Sequence, residues 1–459
     1  MTASAMTASE VLANFCVNLK LESIPESVKS IAKALIIDTV GVATYGSRFP
    51  WSQAIIRYAQ VGGTGGKSRV FGLNHVRLHA ASAALCNGAL AHAFEQDSLR
   101  KPGAGVHPGA TLVAPAFAVA EECGSSGAEI LMAVIAGCEV MFRIGAASLH
   151  TSEKKGFHAP GLTGPYGSAI VTGMLRGFNA QQLMAALGIA GSMSSGLLAF
   201  TKAKGGADVK RLHLGRAAES GVMAAMLVAQ GLSGPETILE GKFGFLDSFC
   251  SDTDPSLLIT GLGSVWETEK VCLKAFPCHV TAHTPIESLR DLMNLHQFRA
   301  ADVSGIEIEV SDKVLSHHVI RKPLDIKQAQ YSTPFCVAWA LHRDPYQPEN
   351  MDESALLDPQ IQKLCQDIAL VPFSQTEKKN SAWSTLIRVT LNSGVTHEKW
   401  SDEFSGSPNK PLSNEALKNR FYQLTGKKSE AIKAQWWRAL CDLEHLSGIN
   451  DLPVLNFEE

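Results

Sequence analysis

"VSGIEIEV", residues 303–310, alternates apolar and polar side chains with a period of two, in a chain whose first 265 residues read almost wholly as helix. Such alternation turns one face to a core and the other to water, as in a half-buried strand. "LIRVTL" (386–391) repeats the pattern, and Asn392-Ser393-Gly394 leads from it into "VTHEKW", the mark of a hairpin. Segments near 281–294, 332–342 and 354–368 lie between these strands and read as helices. The stretch therefore announces a small α+β unit set into a helical chain.

Outward from it the text is helical on both sides. Ser27 is the expected cap of a helix ending at Gly46, and further helices are expected over roughly 78–96, 109–122, 126–149, 165–176, 179–190 and 212–230. Gly124 and Gly231 follow two of these as C-terminal stops. Apolar residues surround the helices instead of striping one side, as in a core layer. Abundant Ala and Gly with only 7% aromatics imply small residues at the crossings. From about 412 the pattern returns to helix, with Ser413 as an N-cap and an amphipathic run at 431–446. The expected fold is mainly α: a large all-helical domain (1–268, completed by 402–459) with an inserted smaller α+β lid domain (269–401). A chain of 459 residues exceeds what one core usually serves.

Composition excludes several classes of function. A net charge of −3 gives no basic face for nucleic acid or an acidic membrane. Ten scattered cysteines without a C-x-x-C read as reduced thiols in the cytoplasm and offer no iron–sulfur or structural zinc set. The opening "MTASAMTASEVLANF", with its doubled MTAS, lacks the basic and apolar regions of a signal peptide. Residues 177–201 carry no charge, but Asn179, Gln181 and Gln182 favour a buried helix over a membrane span. "VGGTGGKS" (61–68) has Val61 where a phosphate loop needs glycine and reads as a surface loop. "HVTAH" spaces His279 and His283 by one turn, yet Val280 stands where a metalloprotease needs glutamate, so no metal is expected.

Charge gathers instead at "AHAFEQDSLRKPGAGVHPGATL" (91–112). Asp97 ends a helix, Arg100 and Lys101 follow, and Gly103, Gly105, Pro108 and Gly109 shape the backbone around His107. Glycine lets a main chain approach a ligand closely, and histidine titrates near neutral pH. Three further spots share this character. Lys210 and Arg211 open an apolar helix, Lys274 lies in apolar text at the start of the second domain, and His158 sits in a Gly/Pro turn followed by Tyr166. A buried lysine needs an anionic partner, and a carboxylate substrate is one such partner.

With "LIIDTVGVATYGSRFPW", "NGALAHAFEQD", "VHPGA", "GCEVMFRIG", "FHAPGLTGPYGSA", "VKRLHLGRAAESG" and "LKAFPCHVTAH", nearly the whole chain resembles the MmgE/PrpD family. That family includes 2-methylcitrate dehydratases, cis-aconitate decarboxylases and iminodisuccinate epimerase. The resemblance implies a homodimer, no metal or organic cofactor, and an active site in the cleft between the two domains. It assigns catalytic roles to Asp97, His107, His158, Lys210 and Lys274 and places His318 at a lid position; His318 and, from their place beside these groups in the sequence, Arg100, Arg211 and Tyr166 are the expected substrate contacts. His318 falls where the decarboxylases carry tyrosine, and Gln96-Asp97-Ser98 replaces the usual Asp-Asp-Thr.

All three activities work at a carbon next to a carboxylate of a small polycarboxylate. Without a metal, such chemistry needs a base of suitable pKa and fixed positive charge for the anion that develops. His107 and His158 are the expected acid/base pair, Lys210 and Lys274 the carboxylate clamps, with Arg100 an extra clamp and Asp97 orienting His107. The histidine at 318 and the added cations favour an isomerase, an epimerase of iminodisuccinate-type substrates. Hydro-lyase action on a 2-methylcitrate-like substrate and cis-aconitate decarboxylation are the lyase alternatives. A carboxylate-binding protein on the same scaffold is the non-enzyme alternative.

Overall fold

The computed structural model describes residues 6–373, 382–426 and 429–455; the first of the two MTAS runs lies outside these. Helices dominate, so the mainly α expectation holds. Helices α1 (Glu26–Gly46), α2 (Ala80–Ala91), α3 (Gly127–Ala147), α4 (Ala159–Leu175), α5 (Ala180–Ser192) and α6 (Val209–Ala229) share one large apolar cluster. α4 lies against α3, α5 and α6, and α2 lies against α6. At that last crossing the expected small residues appear. A Cβ on Gly215 would lie 2.3 Å from the Leu85 carbonyl oxygen, and one on Gly88 would lie 3.0 Å from the Gly215 Cα. Backbones this close leave no room for a methyl group.

Several boundaries differ from expectation for local reasons. Helix α1 starts two residues early, after Pro25, and the Ser27 hydroxyl bonds Glu269 at 3.0 Å instead of capping. Helix α4 starts at Ala159 and runs through Pro165. The Gly161 carbonyl that Pro165 cannot engage accepts from the Ser195 N–H at 3.3 Å. Residues 177–201 are not one helix: α5 opens with an Asn179/Gln182 capping box and stops at Ser192. Residues 61–68 are not a loop, because a helix ending at Gly63 passes into the strand Thr64–Arg69. Among the described residues only α3 is long and apolar enough to cross a membrane, and it is enclosed by its neighbours.

The period-two text forms one sheet: β1 (Val303–Val310), β2 (Ala369–Pro372), β3 (Thr385–Leu391) and β4 (Thr396–Ser401), in the order β2-β1-β3-β4. β1 and β2 are parallel and the other pairs antiparallel. Ile306 faces Val389 and Ile308 faces Ile387, all four buried. Helix α7 (His283–His296) packs on β3 and β4, and α8 (Thr333–His342) packs on α7. The expected helix at 354–368 is split by Pro359 into a single turn and α9 (Pro359–Asp367), which Asp358 caps. These elements build a second apolar cluster, joined by Val42, Tyr45 and Phe94 from the first body. Helices α10 (Asn414–Leu424), capped by Ser413, and α11 (Glu430–Cys441) then return Leu417, Phe421 and Trp436 to the first cluster. Arg420 of α10 bonds Asp38 of α1 at 2.7 Å.

Candidate active site

The bend at 92–109 is held from three sides. Leu99–Arg100 pairs antiparallel with Val271–Cys272, which carries Lys274 to the bend. The Ser98 hydroxyl accepts from the Gly109 N–H at 2.9 Å and fixes the turn that follows His107. Arg420 donates to the Gln96 side chain at 3.2 Å and to its carbonyl at 3.3 Å. Beside this bend lies a cavity of about 1300 Å³, lined from both bodies. His107, His158, Lys210, Lys274, Arg100, Arg211 and His318 all line it, as do Glu95, His279 and Tyr331. Asp97 stands directly behind His107.

Two carboxylates organise the polar wall. Asp97 Oδ2 lies 2.8 Å from His107 Nδ1 and 2.9 Å from His92 Nδ1, while Asp97 Oδ1 is 3.7 Å from Lys274 Nζ. Asp97 thus orients His107 as expected, and His92 with it. Glu95 Oε1 is paired with both Lys210 and Arg211, and Glu95 Oε2 lies 3.4 Å from Lys274 Nζ. Glu95 is placed there by a left-handed backbone, φ 56°. Lys210 also sits 4.7 Å above the Tyr331 ring. On the far wall His318 stacks on His279 at 4.0 Å, and its Nδ1 lies 3.1 Å from the Tyr331 carbonyl oxygen.

Burial and charge oppose each other here. Burial would raise both Glu95 and Asp97, but the cations outweigh it: Lys210, Lys274 and Arg211 hold Glu95 well below the carboxylate range, and His107, His92 and Lys274 do the same for Asp97. Burial lowers Lys210 to about 7, with Glu95 resisting and Arg211 and Lys274 adding to the fall. Burial and the nearby Lys210 push His158 well below its usual value. Burial likewise lowers His92 to about 3 and His318 to about 4.

Three expectations change. Tyr166 does not line the cavity; it is buried in the core, its ring 5.6 Å from Phe245, because α4 turns that face inward. Arg100 is not a free clamp. Its guanidinium bonds Glu267 at 2.9 and 2.7 Å and the Pro102 carbonyl at 2.8 Å, which braces the bend. Arg211, Lys210 and Lys274, expected to wait for substrate carboxylates, already share Glu95. Sequence reading missed Glu95, His92, His279 and Tyr331 at this site. The i, i+4 spacing ties His279 to His283, but His283 points into the core against Phe276 and Phe404.

His92, Asp97 and His107 offer ligand atoms within 4.8 Å of one another, the one such grouping among the described residues. Both Nδ1 atoms are at hydrogen-bond distance from a single carboxylate oxygen, so a cation there would have to displace both contacts. The geometry fits a hydrogen-bonded triad better than a ligand set.

A metabolite-sized cavity walled by imidazoles, ammonium groups and a guanidinium around two carboxylates can hold an anionic guest. The profile of the MmgE/PrpD N-terminal domain matches residues 10–258, and that of the MmgE/PrpD C-terminal domain matches residues 276–440. The chain belongs to the MmgE/PrpD family, a family of enzymes. Its relatives include the cis-aconitate decarboxylase of Aspergillus terreus, 26% identical over 95% of this chain and 93% of the relative. The cis-aconitate decarboxylase of Aspergillus terreus strain NIH 2624 / FGSC A1156 is 30% identical over 69% of this chain and 68% of that protein. The human cis-aconitate decarboxylase is 26% identical over 95% and 91%.

Proposed function

We propose that this enzyme is a lyase that releases carbon dioxide from a small unsaturated polycarboxylate of the cis-aconitate type, with no cofactor. What supports it is the convergence of His107, His158, Lys210 and Lys274 on one cavity, together with relatives named for that reaction. The bond to the departing carboxylate breaks and its electron pair becomes a new double bond. The old double bond shifts its electrons to the far carbon, which takes a proton. Lys274, Arg211 and Lys210 hold the remaining carboxylates and the charge that builds during the shift. His158 supplies the proton. Burial and Lys210 lower its basicity; a guest with three carboxylates offsets Lys210 and favours loading of the imidazole. His107, backed by Asp97, donates to a substrate carboxylate. Reduced, cytoplasmic surroundings suit the ten free thiols, eight of them buried, and homodimerisation is proposed from the family resemblance.

Epimerisation is the second reading. His107 and His158 both line the cavity, with ring centres 5.1 and 6.3 Å from His92, so two imidazoles are at hand, one to remove a proton and the other to return it. Incubation with cis-aconitate, 2-methylcitrate and iminodisuccinate in deuterated water separates the cases. Release of carbon dioxide with one deuterium gained supports the decarboxylase. Deuterium uptake without mass loss makes it an epimerase, and loss of water a dehydratase. No turnover, with ligands still raising Tm, leaves a carboxylate-binding protein.

A further inference from the structure

Behind His158, outside the cavity wall, stands a second imidazole. His213 lies one turn along α6 from Lys210, and its Nδ1 is 3.0 Å from the Nδ1 of His158. The pair is packed in place. Phe200 sets its ring against both, 5.3 Å from His158 and 5.9 Å from His213. Gly196 crosses directly over them at φ +130°, and a Cβ there would lie 3.4 Å from His213 Nδ1 and 3.5 Å from His158 Cβ. The Gly196 carbonyl accepts from the His158 N–H at 3.0 Å, which ties that strap to the base of the ring. His158 is buried, whereas His213 is only partly so.

A contact between two Nδ1 atoms admits one hydrogen. One ring donates and the other must present a lone pair, so each ring dictates the tautomer of the other. Burial and Lys210, the charged group beside both rings, disfavour a positive charge on either of them. His213 reaches toward solvent, where its Nε2–H has water to bond. His158 Nε2 has no partner among the described residues and belongs to the ring that lines the cavity.

We propose that His213 is a positioning residue for the reaction: its Nδ1 accepts from the Nδ1–H of His158 and so holds the His158 Nε2 bare toward the substrate. When Nε2 takes up a proton, both His158 nitrogens carry hydrogen and Nδ1–H still donates to His213. One contact therefore serves the loaded and the unloaded ring alike, as an orienting acceptor does behind a catalytic histidine.

Two-bond proton–nitrogen correlation spectra of the ¹⁵N-labelled full chain read the His158 tautomer directly. The wild type should carry its hydrogen on Nδ1. His213→Phe, which keeps the ring's bulk beside Phe200 but removes the acceptor, should move that hydrogen to Nε2. Its kcat on the turned-over polycarboxylate should fall roughly 10- to 100-fold while KM stays within about twofold. His213→Asn restores an accepting oxygen and should recover Nδ1–H and most of kcat. A wild-type His158 with its hydrogen on Nε2 overturns the proposal, as does a folded His213→Phe variant with unchanged tautomer and kcat. Where His213→Phe does not fold, His213→Asn decides alone: Nε2–H in that variant overturns it. The kinetic arm rests on the proposed function; if no polycarboxylate is turned over, that function falls while the nitrogen spectra still decide the tautomer.

Discussion

Glu95 and Arg388 are mirror images in charge and opposites in setting. Glu95 is one carboxylate among three cations, Lys210, Arg211 and Lys274, with 1% of its surface exposed. Arg388 is one guanidinium among three carboxylates on the outer face of the sheet, at 2.7 Å from Glu307, 2.8 Å from Glu309 and 3.1 Å from Glu398. Water reaches Arg388, Glu307 and Glu398, so the surplus negative charge costs little and those two pairs stabilise little, while Glu309 alone of the four is buried. No such screening reaches Glu95. Its surplus of positive charge persists in a low-dielectric wall and favours an anionic guest. The same arithmetic of charges makes a surface brace in one place and a ligand site in the other.

Removing the central group of each cluster gives the sharpest contrast. Glu95→Gln leaves buried Lys210 and Arg211 without a carboxylate and Lys274 with Asp97 alone, at 3.7 Å, and should cost about 3–5 kcal/mol in denaturant unfolding, with turnover down by at least ~100-fold. Wild-type stability in that variant would break the comparison. Next in size is a pH effect. Lys210 is charged below about 7 and loses its proton as pH rises through that value. A carboxylate clamp loses its charge with it, so kcat/KM should fall roughly tenfold per pH unit above about 7. Lys210→Arg, charged throughout, should displace that limb upward, and a profile unaltered by the substitution would take Lys210 out of the titration. Smallest is Arg388→Ala, which should cost about 1–2 kcal/mol, mostly through its bond to the buried Glu309, and leave turnover alone.

The sheet was legible because period-two alternation is a local signal: Ile306 and Ile308 declare a buried face without reference to the rest of the chain. His107 and His158 were legible for a related reason, since titratable groups in Gly/Pro turns between apolar helices are conspicuous, and Lys210 and Lys274 because a cation in apolar text calls for an anion. Glu95 was not, because an acid at a helix exit reads as solvated until a partner 115 residues away closes on it. The lysines were read correctly as needing an anion, but the first anion they meet is part of the protein. Arg100 misled in the same way, its partner Glu267 lying 167 residues on. Tyr166 failed by rotation: eight positions beyond His158, the helix has turned its ring into the core. The Pro165 and Pro359 boundaries depended on whether another segment could satisfy the freed carbonyl, which only tertiary structure decides.

The Gly88–Gly215 crossing limits how this enzyme can be re-engineered. Helix α2 ends just before His92, and α6 begins just before Lys210, so the gap between those two groups is a by-product of main chains touching at the crossing. Side-chain redesign cannot tune that gap, and any methyl introduced at Gly215 would shift both walls together. Altered substrate preference has to come from the far side, where Leu198 and Phe200 face the cavity without bearing on the crossing.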